Sequence, residues 1–98
     1  MKHYILTYDF VPDFMEKRAP LRAAHLDLLK QAEERGELVL AGAFKDDPPG
    51  SLLVFKAEDP SVVEAFAKAD SYVTGGIVTG WRVREWVTVA GAGALTKP

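Results

Sequence analysis

The chain has 98 residues, room for one small domain and not for two. Apolar residues make up 48%, enough for a core, while a net charge of −2 gives none of the basic footprint of a dedicated nucleic-acid binder. The absence of cysteine removes disulfides, thiolate metal sites and cysteine nucleophiles together. No apolar run approaches the roughly 20 residues of a membrane span, and the apolar stretch before Asp9 is too short for a secretory signal. A cytoplasmic protein with no nucleic-acid or membrane partner is the expectation.

Residues 2–9 (KHYILTYD) are rich in aromatic and β-branched types and read as a strand, broken by Val11-Pro12-Asp13. Phe14 to Arg18 predicts a short helical turn. Pro20 then suits the first turn of a long helix ending near Arg35, with Gly36 as its left-handed stop. Residues 37–45 and 51–57 read as a hairpin around the turn cluster Asp46 to Gly50. Asp59-Pro60 is a cap followed by a first-turn proline. It opens a second helix to about Ala69, with Val62, Val63, Phe66 and Ala67 inward. Residues 70–76 read as a loop or short turn and 77–89 as a long last strand. Residues 90–98 read as a tail, mobile or clipped onto a neighbour. The domain therefore spans 1–89.

The order β-α-β-β-α-β is the ferredoxin-like arrangement of the α+β class: a four-stranded antiparallel sheet with both helices on one face. Strands two and three are apolar on both faces, and Trp81 and Trp86 point to opposite faces of strand four. Two short helices cover one face only. A second copy across a two-fold axis is the simplest cover for the other, so a homodimer is expected.

His25 lies in the apolar stripe of the long helix with Leu21, Ala24, Leu28, Leu29 and Ala32. It is either a core histidine satisfied by one backbone carbonyl or a general acid or base. Arg22, one turn earlier, either binds a substrate carboxylate or phenolate or forms a solvated flank; Arg18, a turn further back, has a weaker claim. Asp70, directly after the second helix, either accepts from His25 Nδ1 and fixes its tautomer or is an ordinary turn aspartate. Tyr72 closes an apolar pocket or offers its hydroxyl to a ligand. Gly42, inside an apolar strand, marks a bulge or a close approach by a ligand, and Asp9 either lines the same cavity or is an exposed turn residue. The two histidines stand far apart with no carboxylate constellation beside them. Neither metal-ligand spacing nor a nucleotide-binding glycine loop is present, so no metal or cofactor is expected.

Several of these segments carry a resemblance. Arg22-x-x-His25-Leu26, the Gly36 stop, Ala41-Gly42, the run Ala69-Asp70-Ser71-Tyr72-Val73 and Trp81 together resemble the YciI-like (YCII-related) family over roughly residues 3–89. The resemblance implies a ferredoxin-like protomer in a dimeric α+β barrel and an active site on His25 and Asp70. Ser71 stands where the family usually has proline, which implies a less rigid loop around Asp70. One branch of the family resembles dehydrochlorinases of chlorinated hydroxyquinol rings. Together, residues and resemblance lead to an expected function: proton transfer by a His25/Asp70 pair, of elimination or isomerisation type. The substrate is a small aromatic or unsaturated acidic compound, positioned by Arg22, Gly42, Tyr72 and Asp9. The alternative is a non-catalytic metabolite-binding or dimeric interaction module.

Overall fold

The structure is a computed structural model and describes residues 1–96. Strand β1 (Lys2–Phe10) alternates strictly, sending Tyr4, Leu6, Tyr8 and Phe10 into the core. It pairs antiparallel with both β3 (Gly50–Ala57) and β4 (Val78–Trp86), and β3 pairs antiparallel with β2 (Leu38–Ala43). The sheet order β2-β3-β1-β4 is that of the ferredoxin-like fold, with β1 inside the sheet.

Between β1 and β2 the chain makes a single turn α1 (Phe14–Lys17), a 3₁₀ turn over Ala19–Leu21, and α2 (Arg22–Glu34). Pro20 lies in the 3₁₀ turn, where its missing N–H is not needed. Gly36 takes φ +76°, the left-handed conformation that ends the helix, as its position predicts. Helix α3 (Ser61–Ala69) starts one residue later than expected: Pro60 holds the N-cap position, which has no side-chain cap, and Asp59 before it accepts from the Ser61 amide through Oδ1 at 2.8 Å. It buries Val63, Phe66 and Ala67 against the sheet, with Val62 partly buried. A final turn α4 (Ser71–Thr74) precedes β4. Leu6, Tyr8, Leu53, Phe55, Val63 and Ile77 are all but closed to solvent. Each such aliphatic or phenylalanine side chain stabilises the fold by about 1.5–3 kcal/mol.

Several element boundaries differ from the sequence expectation. Strand β2 is shorter than residues 37–45, and the register break lies between Leu38 and Leu40, not at Gly42, which pairs regularly with Leu52. Strand β4 stops at Trp86 because its partner runs out: Trp86 lies opposite His3, near the start of β1. Residues 88–96 then fold back on themselves. The Thr96 amide donates to the Thr88 carbonyl at 2.9 Å, the Leu95 amide to Thr88 Oγ1 at 3.0 Å, and Thr88 Oγ1 meets His3 Nδ1 at 2.7 Å. This part of the expected tail is held by hydrogen bonds; residues 97 and 98 of it lie outside the described residues. The two tryptophans do face opposite ways. Trp81 packs against the core, whereas Trp86 is half exposed beside His3.

Both long helices lie on one face of the sheet. On the other, Leu40 is 71% exposed and Trp86 50% exposed. Among the described residues, no helix is long and apolar enough to cross a membrane.

Candidate active site

A cleft of about 260 Å³ opens between α2 and the β2–β3 edge of the sheet. Ala41, Gly42, Ala43, Ser51 and Leu53 form its floor. Arg22, His25, Leu26 and Leu29 overhang it from α2, and Phe10, Phe14, Arg18 and Tyr72 close the remaining sides. The predicted apolar stripe holds at Leu21, Leu28, Leu29 and Ala32, which pack in or against the core, while Ala24 is exposed to solvent. The cleft is met by residues 22, 25, 26 and 29, which share the adjoining face of α2.

His25 is held by two partners. Its Nδ1 lies 2.8 Å from Asp70 Oδ1 and 3.0 Å from Oδ2, and its ring stacks on Tyr72 at a centroid distance of 3.7 Å and an interplanar angle of 8°. Such stacking contributes about 0.5–1.5 kcal/mol beyond burial. The side chain keeps 12% of its surface exposed, toward the cleft it lines. A carboxylate only accepts, so the Nδ1 proton belongs to the imidazole, and the lone pair of the neutral ring resides on Nε2.

Asp70 itself has no exposed surface. It sits at the junction of α3 and α4 with extended backbone (φ −71°, ψ 127°) and caps α4, Oδ1 accepting from the Tyr72 amide at 3.1 Å. Its Oδ2 accepts from the Tyr8 hydroxyl at 2.8 Å. Burial pushes the Tyr8 phenol well above its ordinary pKa, reinforced by the Asp70 charge and by the hydrogen bond itself. Three donors thus surround one carboxylate.

Ser71, where the resemblance has proline, does not loosen this junction. Its Oγ donates to the Leu21 carbonyl at 2.8 Å, tying α4 to the turn that precedes α2. One hydrogen bond therefore links the segment carrying Asp70 to the segment leading into His25.

The lining carries Arg18, Arg22 and His25 but no carboxylate. Among the described residues, neither arginine forms an ion pair. The cleft is thus locally positive in a chain of net charge −2. The Tyr72 hydroxyl is buried without a hydrogen-bond partner. Among the described residues, no group of three or more His, Asp or Glu side chains is placed to hold a metal ion.

The sequence expectations fare unevenly against this geometry. His25, Arg22, Tyr72 and Gly42 line one cleft, and Asp70 lies directly behind His25. Asp9 does not belong: Tyr8 and Phe10 face the helices, so strand alternation turns Asp9 to the opposite side, where it is exposed beside Gly80. Gly42 contributes backbone to the floor, but a Cβ built there meets nothing within 4 Å, so no neighbour requires glycine. Arg18 joins Arg22 at the cleft because the 3₁₀ turn between them brings it round. Tyr8 and Ser51 were not singled out. The only sequence signal for Tyr8 is a hydroxyl on the inward face of an otherwise apolar strand.

The sequence matches the YCII-related domain over residues 1–87. Protein YciI of Escherichia coli O6:H1 is 31% identical, the match covering 76% of this chain and 85% of the relative. An uncharacterized protein of Haemophilus influenzae is 30% identical, over 76% of this chain and 86% of that one. Among solved structures, the 5-chloro-2-hydroxyhydroquinone dehydrochlorinase of Burkholderia phenoliruptrix AC1100, in complex with 2,5-dihydroxybenzoquinone, superposes with a TM-score of 0.73. It is 22% identical, and the match covers 88% of this chain and 94% of that chain. A Deinococcus radiodurans protein assigned to the antibiotic biosynthesis monooxygenases superposes with a TM-score of 0.58 at 13% identity, covering 97% and 99% of the two chains. These two likenesses establish the fold, which the monooxygenase group shares. The domain match, spanning nearly the whole chain and joined by relatives that align along most of their own length, shows that this chain belongs to the YCII-related domain family.

Proposed function

We propose that the cleft binds a small acidic compound, aromatic or unsaturated, and that His25 moves a proton on it in an elimination or isomerisation. The observation that carries this reading is the 2.8 Å contact between His25 Nδ1 and the fully buried Asp70. It leaves Nε2 as the basic atom of a ring that borders the cleft. When Nε2 takes a proton, the imidazolium charge develops against a carboxylate already in place, at no cost in reorganisation. The electron pair left on the substrate then expels a leaving group or shifts along the unsaturated frame. Arg22 and Arg18 supply positive charge for the substrate's oxyanion, and the alanine and leucine floor suits a flat apolar ring. The dehydrochlorinase that shares this fold was solved with a hydroxylated quinone, a ligand of this class.

The test is turnover of chlorinated hydroxyhydroquinones, read as chloride release and quinone absorbance. Turnover is expected, and Arg22→Gln is expected to raise KM by about 10- to 100-fold with a smaller change in kcat, as loss of a charge-assisted hydrogen bond predicts. Binding without turnover of any halogenated or unsaturated acid would replace this reading with that of a binding module.

The reading also takes the chain as a homodimer. The sheet face away from the helices exposes Leu40 and Trp86, and a second copy packed there would bury both. Sedimentation equilibrium at micromolar concentration is expected to give twice the chain mass; a mass of one chain would remove the dimer.

A further inference from the structure

Tyr8 touches neither the cleft nor any substrate that fits it. Its hydroxyl nevertheless ends on the carboxylate that His25 depends on. We propose that Tyr8 is a positioning residue for His25, acting through Asp70: by donating to Oδ2 it holds the carboxylate in place against the imidazole and tunes the ring's proton affinity. The proposal deepens the proton-transfer reading of the cleft and rests on it.

The argument begins with rigidity. Tyr8 lies on a strand paired on both sides, opposite Ser51 on β3 and Trp81 on β4, and its ring is 1% exposed. The sheet therefore fixes where its oxygen lies. Asp70, by contrast, sits between two helices, where only the Tyr72 amide is a local partner. The Tyr8 hydrogen bond is the contact that refers the helix-borne His25–Asp70 pair to the sheet.

The second part of the argument is chemical. The Tyr8 hydroxyl is the donor in its bond to Asp70 Oδ2. Burial and the adjacent charge keep the phenol protonated, so it remains a donor while His25 changes state. A hydrogen bond to Oδ2 draws charge from the carboxylate and weakens its pull on a proton at Nδ1. The strength of the Tyr8 donor therefore tunes His25 in a definite direction. The other polar and charged groups around the ring are Asp70 and Tyr72 from the α3–α4 segment, Arg22 from its own helix, and Arg18 across the cleft. Of these, only Asp70 is hydrogen-bonded to Tyr8.

The experiment is ¹⁵N NMR of the His25 ring through a pH titration in three proteins: wild type, Tyr8→Phe, and a protein with 3-fluorotyrosine installed at position 8. Wild type is expected to show the Nδ1–H form when neutral. Tyr8→Phe, having lost the donor, is expected to raise the His25 midpoint by about half a pH unit, roughly a threefold change in the protonation equilibrium. Fluorotyrosine, a stronger donor, is expected to move it the other way. Opposite displacements support the coupling. Unchanged midpoints, or displacements of the same sign, overturn it even if the melting temperature falls, because a core tyrosine with no positioning function would alter stability alone. If Tyr8→Phe fails to fold, the fluorotyrosine arm decides by itself. The spectra need no substrate. Absence of turnover would therefore sink the proton-transfer reading without touching the coupling, and absence of coupling would sink the Tyr8 inference without touching turnover.

Discussion

Replacing His25 by glutamine is expected to lower kcat by a factor of about 10² to 10⁴, the usual contribution of a positioned general acid or base. Glutamine keeps a donor that can reach Asp70, so the buried carboxylate retains a partner, but an amide has no basic nitrogen to replace Nε2. The fold should survive. His25 contributes one hydrogen bond and the stack on Tyr72, together about 1–3 kcal/mol. Circular dichroism and thermal melting, run beside the kinetic assay, separate the two effects. Turnover within a factor of three of wild type would remove His25 from the chemistry. A drop in turnover accompanied by loss of the folded signal would say nothing about the base, which is why the alanine variant is the poorer choice.

Asp70 has the larger structural consequence. Asp70→Ala leaves the Tyr8 hydroxyl, the His25 Nδ1–H and the Tyr72 amide without their acceptor in a space closed to solvent. The expected loss is about 3–5 kcal/mol, a large share of the roughly 5–15 kcal/mol that holds a domain together. Asp70→Asn should cost far less. Its carbonyl can still accept from His25 and the Tyr72 amide, and Tyr8, a hydroxyl, can turn to accept from the new amide group. The asparagine variant is thus folded but lacks the charge that stabilises an imidazolium, so its turnover falls toward that of His25→Gln. Urea denaturation of both variants checks the first statement, and kinetics of Asp70→Asn the second. Equal stabilities for the two variants would show that the three hydrogen bonds contribute little.

The elements that were legible in the sequence are those with a local cause. Gly36 ends α2 because only a left-handed residue fits there, Asp59 and Pro60 mark the start of α3, and the alternation of β1 names its inward face. The ferredoxin-like order followed from the succession of periodic segments. Within the site, His25 stood out as a polar residue in an apolar stripe. Asp70 reads either as its acceptor or as an ordinary turn aspartate, since nothing in the helical period joins residue 25 to residue 70, and the family resemblance favours the first. Tyr8 was hidden for the opposite reason. On an alternating strand it looks like any core aromatic, and only the meeting of sheet and helices gives its hydroxyl a purpose. Of the two readings of Asp9, the exposed one agrees with its parity on β1, which turns it to the far face. At Ser71 the substitution for proline brings a hydroxyl that reaches the Leu21 carbonyl, a contact between residues too far apart in sequence to be read there.

The position of β1 bears on how the molecule is made. Of the four strands of this domain, the first to be synthesised is an inner strand of the sheet, and β4, its partner along one whole edge, is the last of them. Until residues near Trp86 have emerged, Tyr4, Leu6 and Tyr8 have only β3 beside them, and one edge of β1 stays open. Pairings so distant in sequence close slowly. The nascent chain therefore cannot complete its sheet domain-first during synthesis. Loss of β4, far in sequence from His25 and Tyr8, would expose the edge of the strand on which Tyr8 is mounted.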